Sequence, residues 1–409
     1  MKSFLCFVLM IAFLAPVVSP VFAAGSPEDK GAGTQNAARA VNEFAIDLYR
    51  QIESEARGNI FFSPFSVSSA LAMVYAGAAN DTEREIARTL HFNPEIHVSM
   101  KAMSARFSEI SGKEGVLETA NRVWVSLEED LLPSYASILE RDYASGAERL
   151  DFKSAPKRSL EKINAWVSEK TQDKIKDLLQ ENDVTANTRF ILTNALYFKA
   201  PWINQFSEGQ TKTEPFYTED GEKDAQLMRV TNHFLYGSAP DVTFVKIGYR
   251  LPGLSMMILL PDKSSSVDAL SKKLSSQLLS EWSESMKSKN VRLVIPKFKV
   301  ELRYPLSDIL QKLGMRLAFT QEADFSGMVA NPRNKDGVLY VDTVVHKSFI
   351  EVDEKGTEAA AATAVGMARM SAVMEPEEIT EFRADRPFIY CILDNVTGAV
   401  LFMGRLSAP

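Results

Sequence analysis

Apolar positions change their spacing near Arg189. Before it they recur at helical intervals, predicting helices over Ala37 to Gln51, Ser63 to Ala76 and Leu160 to Leu179, the last carrying Ile163, Trp166, Val167, Ile175 and Leu178 at near-helical spacing. Beyond it the chain is rich in runs of strand length: Phe190 to Phe198, Val242 to Ile247, Ser255 to Leu260, Val291 to Val300, Val344 to Val352, and the pair Phe388 to Leu393 with Ala399 to Met403. Helices first and long strands later predict an α+β fold. Ser63 suits a helix cap and Pro64 a first helical position. Ala70 to Val74 follow without a polar face, so that helix should be buried all round.

The first residues follow a different pattern. Lys2, the apolar stretch Phe4 to Ala15 and small residues at Ala23 and Ala24 read as a secretory signal peptide over 1–23, too short to span a bilayer. Residues 24–36 are Gly, Ser, Pro and charge, expected as a flexible leader. No later linker or repeat divides the chain, so 37–409 is expected as a single domain. The protein should therefore be secreted, extracellular or, in a bacterium, periplasmic.

Charge and cysteine usage narrow the possibilities. The chain has 46 basic and 53 acidic residues, a balance that argues against a general nucleic-acid or anionic-membrane binder. Cys6 lies in the signal segment, which leaves Cys391 alone in an apolar run, a buried and inert thiol. Catalytic parts are missing. The four histidines His91, His97, His233 and His346 accompany no G-x-S-x-G elbow, H-E-x-x-H helix or phosphate-cradling loop. His91 and His97 are six apart and share no helix face as metal ligands would, so no metal or cofactor is expected.

Several segments, in order, carry a family resemblance. They are Asn59-Ile60-Phe61-Phe62-Ser63-Pro64-Phe65-Ser66, Thr193-Asn194-Ala195-Leu196-Tyr197-Phe198-Lys199-Ala200-Pro201-Trp202, Pro296-Lys297-Phe298-Lys299-Val300-Glu301, Ala323-Asp324-Phe325-Ser326-Gly327-Met328, His346-Lys347, and Arg386-Pro387-Phe388 leading to Phe402-Met403-Gly404-Arg405. Together they resemble the serpins, along essentially the whole mature chain, and the loop hinge looks most like leukocyte elastase inhibitor. The signal peptide departs from that branch, whose members typically lack a cleaved one. The resemblance implies a serpin fold with three β-sheets, about nine helices and an exposed reactive-centre loop at about 354–381. It also implies an inhibitor, not an enzyme, acting alone as a monomer on a serine protease, with a cysteine protease as the second target class. Ser63, Ser66, Asn194 and His346 match positions of a polar cluster beneath the centre of the main sheet. Trp202, Lys297 and Glu354 match positions where the hinge enters, Lys297 and Glu354 as an ion pair. The helix that binds glycosaminoglycans in some members falls near Glu95 to Ser111, where Lys101 and Arg106 make no basic face, so no such binding is expected.

Residue-level reading and resemblance disagree at Gly356-Thr357-Glu358-Ala359-Ala360-Ala361-Ala362-Thr363-Ala364. Alanine propensity predicts a short helix ended by Gly366. The resemblance implies instead a hinge that enters the sheet as a strand after the loop is cut. Side chains alternate along a strand, so Thr357, Ala359, Ala361 and Thr363 would all face inward, each small and nearly neutral, while Glu358 would face out. Non-inhibitory members often break that small-residue pattern. Family spacing puts the scissile bond fourteen residues past Gly356, between Met370 and Ser371. A Met there suits elastase-, chymotrypsin- or subtilisin-like enzymes. Arg369, one residue earlier, is the alternative and would recruit a trypsin-like protease.

Overall fold

The computed structural model describes residues 27–112, 115–334, 337–357 and 377–409. The signal segment and the loop positions Glu358, Ala359, Ala360, Ala361, Ala362, Thr363, Arg369, Met370 and Ser371 lie outside the described residues. Among those described, nine α-helices accompany three sheets. The largest sheet runs Ile60–Phe62, Val400–Leu406, Phe388–Asp394, Leu254–Pro261, Val242–Gly248, Gly221–Ala239, Lys287–Pro296 and Thr380–Arg383, with Lys212–Thr218 branching from Gly221–Ala239. A six-stranded sheet runs Phe298–Pro305, Thr343–Val352, Gly356–Thr357, Phe190–Pro201, Val116–Ser126 and Ala147–Leu150. The third pairs Arg333–Asn334 with Gly337–Val338.

Packing follows the faces of the six-stranded sheet. On one face Trp124, Ile191, Ala195, Val345 and Phe349 meet Ile163 and Val167 of the helix Pro156–Lys170. On the other, Leu196, Phe198, Ile350 and Val352 pack with Met256, Ile258, Tyr390 and Phe402 of the largest sheet. The helix Pro64–Tyr75 is buried from Pro64 to Val74, held by Ser63, whose hydroxyl accepts from the Ser66 amide at 3.1 Å. Both sheet faces are covered, so an apolar run here marks a buried strand.

Three expectations need correcting. The first helix starts at Pro27, not Ala37, and absorbs most of the stretch expected as a leader; proline fits a helix start because its missing N–H is unpaired there anyway. The helix expected to reach Leu179 ends at Lys170, because Gln172 and Asp173 take φ of 49° and 61°. Ile175 and Leu178 still reach the core from the turns beyond. The run Val291 to Val300 is two strands in two sheets, Lys287–Pro296 and Phe298–Pro305. Its alternation slips by one place, from Val291, Leu293 and Ile295 to Phe298 and Val300, which marks the crossing at Lys297.

One ion pair fastens the helix Ile96–Ile110 to the final hairpin. Arg106 donates from Nε to Asp394 Oδ2 at 2.8 Å and from Nη2 to Oδ1 at 2.6 Å, and Asp394 is fully buried. Lys101 points to Asp142 at 3.5 Å, so neither basic residue of that helix is spare. Arg106→Ala, which strands a buried carboxylate, is expected to lower stability by about 3 kcal/mol, read as a denaturant midpoint shift at unchanged slope.

Candidate functional site

The strands Phe190–Pro201 and Thr343–Val352 run parallel but share rungs only from Ile191 with Thr343 to Ala195 with Lys347. Above that point, among the described residues, the space between them is entered at its upper end by Gly356–Thr357, antiparallel to both. Thr357 lies opposite Val352 on one side and Ala200 on the other. The chain reverses through a turn in which Asp353 Oδ1 accepts from the Lys355 and Gly356 amides at 2.8 and 3.0 Å. A Cβ on Gly356 would come within 2.3 Å of the Ala200 carbonyl oxygen, so only glycine passes there. The start of the expected Gly356 helix is therefore strand: pairing on two edges outweighs alanine propensity.

At the lower end of the gap sits a polar cluster on the last rungs. Asn194 and His346 are direct partners in the ladder. The Ser63 amide donates to His346 Nε2 at 3.0 Å, and Nδ1 lies 2.6 Å from Asn194 Oδ1. An acceptor Nε2 leaves the proton on Nδ1, so the ring is neutral. Asn194 Nδ2 donates to Ser66 Oγ and to Asn121 Oδ1, each at 2.6 Å. Ser63 Oγ donates to the Leu401 carbonyl at 2.6 Å, tying the cluster to the largest sheet. Complete burial pushes the His346 pKa down to about 3.

The upper end is closed by charge and aromatic rings. Lys297 Nζ donates to Glu354 Oε2 at 2.8 Å and Thr211 Oγ1 to Oε1 at 2.7 Å. Burial opposes ionisation of Glu354, but the Lys297 ammonium and the Thr211 hydroxyl outweigh it and hold the carboxyl below its ordinary range. The same pairing raises the Lys297 pKa. Trp202 is fully buried, its Nε1 donating to the Asp353 carbonyl at 3.0 Å and its ring stacked on Tyr249 at 4.4 Å. Tyr249 and Thr357 share a hydrogen bond of 2.6 Å between their hydroxyls.

The structure thus brings Ser63, Ser66, Asn194 and His346 together at one end of the gap and Trp202, Lys297, Glu354, Gly356 and Thr357 at the other. The sequence reading missed Asn121, Thr211, Asp353 and Tyr249. Asn121 could have been found, because it interrupts the face that Leu117, Val123 and Val125 present to the core. Asp353 had a local signal as well, an aspartate three residues before Gly356 in a turn, whereas Thr211 and Tyr249 act through contacts remote in sequence. Among the described residues no group of three or more His, Cys, Asp or Glu comes together as a metal site.

The sheet thus parts over a polar cluster, with the following segment turned into the upper end of the gap, and comparison with known proteins gives the family. The serpin (serine protease inhibitor) family model matches residues 39–409. Leukocyte elastase inhibitor of Bos taurus is 39% identical over 381 residues, covering 90% of this chain and 98% of that protein. An uncharacterized serpin-like protein of Thermococcus kodakarensis is 37% identical over 373 residues, covering 90% and 85%. Among solved structures, Serpin48 of the insect Tenebrio molitor superposes with a TM-score of 0.81 at 30% identity, covering 94% of this chain and all of that one. The chain belongs to the serpin (serine protease inhibitor) family, and the bovine relative is named as an inhibitor, not as an enzyme.

His346 makes stability depend on pH. Its ordinary pKa of 6.5 is lowered in the fold, so below pH 6.5 the unfolded chain takes up a proton that the native ring refuses. The contribution is complete above pH 6.5 and should fall by about 1.4 kcal/mol per pH unit toward pH 3. Guanidinium unfolding of the wild type and His346→Gln between pH 7.5 and 5 checks it. The two should differ in slope by close to one proton; parallel losses would assign the titration elsewhere.

Proposed function

We propose that this serpin is a secreted suicide substrate of a serine protease, cut between Met370 and Ser371 and left covalently joined to its target as an acyl-enzyme while the hinge inserts into the six-stranded sheet. The observation that carries this reading is Thr357, small, buried and already paired on both edges at the top of the gap. Continuing its register downward would set Ala359 level with Phe198 and Ile350, Ala361 with Leu196 and Ser348, and Thr363 with Asn194 and His346. All of these neighbours lie on the core side, where only small neutral residues fit. Glu358 would come level with Lys199 and Glu351, both only half-buried. Down to Ala361 the inserted strand would displace no existing rung. Ala362 and Thr363 would replace the Ala195–Lys347 and Asn194–His346 rungs, so the polar cluster would act as the gate to full insertion.

About ten new backbone hydrogen bonds at roughly 1 kcal/mol net each would contribute on the order of 10 kcal/mol, comparable with the stability of a whole domain. The uncut fold would then persist kinetically. The Met370 side chain suits an elastase-, chymotrypsin- or subtilisin-like pocket. The name of the bovine relative, an elastase inhibitor, supports the same class.

Incubation with pancreatic elastase, chymotrypsin, subtilisin and trypsin should give a complex that survives boiling in SDS with at least one apolar-pocket enzyme, releasing a C-terminal fragment that begins at Ser371. A fragment beginning at Met370 would move the bond to Arg369 and the target to a trypsin-like enzyme. No complex with any of the four would turn the reading to a non-inhibitory carrier or chaperone. In the same assay Thr357→Arg, placing a charge at the buried entry, should convert inhibitor into substrate; unchanged stoichiometry would sink the insertion mechanism.

A further inference from the structure

Tyr249 follows the strand Val242–Gly248, where its amide donates to the Leu254 carbonyl at 3.0 Å and the neighbouring Arg250 amide donates to the Pro201 carbonyl at 2.9 Å. Its ring is held between two aromatic neighbours, stacked on Trp202 at 4.4 Å and edge-on to Phe198 at 5.0 Å. So fixed, the ring has one direction in which to point its hydroxyl. The residue is 2% exposed, and the hydrogen-bond partner the structure gives that hydroxyl is Thr357 Oγ1 at 2.6 Å. Thr357 is itself 1% exposed.

We infer that Tyr249 is a positioning residue that latches the hinge in the top of the six-stranded sheet before any cleavage. The physical reason is an asymmetry. If Gly356 and Thr357 leave the gap, the Tyr249 hydroxyl stays behind against Trp202 and Phe198 and loses the partner that the structure gives it, and a buried hydroxyl left unpaired costs more than one hydrogen bond contributes. Withdrawal is therefore opposed, whereas advance is not, because a strand growing downward from Thr357 leaves this bond in place. The latch gives insertion a direction and a starting register, with the turn at Asp353 and the first antiparallel rungs already formed. This deepens the proposed inhibition and rests on it for its use, but the latch exists in the uncut molecule and is measured there.

Amide hydrogen exchange over residues 353–358 of the uncut protein is the test. Tyr249→Phe, which removes one oxygen and keeps the stack, should speed exchange of that segment about tenfold. Thr357→Val should do the same, the double variant should be no faster than either single, and Thr357→Ser, which restores a hydroxyl, should return slow exchange. Exchange unaltered by Tyr249→Phe, or single effects that simply add, would overturn the latch. With a protease that forms a complex, Tyr249→Phe should raise the stoichiometry of inhibition severalfold at an unchanged rate of loop cleavage, since a hinge that starts outside the sheet inserts later than one that starts inside; unchanged stoichiometry would deny the positioning role. If no protease forms a complex with the wild type, the inhibitory reading fails while the exchange result still decides the latch.

Discussion

The parallel pairing of Phe190–Pro201 with Thr343–Val352 ends at Ala195 and Lys347, and the rest of the site depends on that ending. A buried sheet does not normally leave adjacent strands unpaired, because each lost rung strands an amide and a carbonyl away from water. Here polar side chains accompany the last rungs. His346, Asn194, Asn121, Ser66 and Ser63 exchange hydrogen bonds among themselves and with the backbone of the helix Pro64–Tyr75 and the Leu401 strand. The network satisfies these buried polar groups where the ladder stops, which an apolar cluster could not do.

Above the cluster, the segment Asp353–Thr357 is held by buried polar contacts. Glu354 is buried with its charge compensated by Lys297 and Thr211, Trp202 donates to the Asp353 carbonyl, and Tyr249 bonds Thr357. The covering helix Pro156–Lys170 presents Ile163 and Val167 to the opposite face. In the proposed mechanism the inserted residues on that face would be Glu358, Ala360 and Ala362, the two alanines small enough to pass beneath a covering helix. A sheet that takes in a strand, as the proposed mechanism requires, therefore does not need weak packing everywhere. It requires one seam whose two ends are well satisfied and whose middle can accept a strand.

Local pattern read the strands and the buried helix well, because a strand covered on both faces and a helix without a polar side leave unbroken apolar runs. It failed where distant partners decide conformation. Gly356 and Thr357 have no local reason to be strand; they are strand because Pro201, Ala200 and Val352 flank them. Lys297 sits between two sheets, and only the slip in alternation around it hinted at the crossing. Within the site, residues carried by family motifs were legible, including Ser63, Asn194 and His346. Thr211 and Tyr249 were not, since a threonine or a tyrosine in a loop carries no mark of the buried group it will meet.

Motif order and apolar spacing alone determined the class of molecule, an α+β fold of the serpin family. Spacing does this because burial imposes periodicity on the residues that supply it. The depth at which Gly356–Thr357 sits in the sheet, the hydroxyl that Thr357 meets there and the rung at which the parallel pairing begins were decided only by tertiary structure. Each is set by which residues from remote segments come level across the gap, and register between strands is not written in either strand by itself.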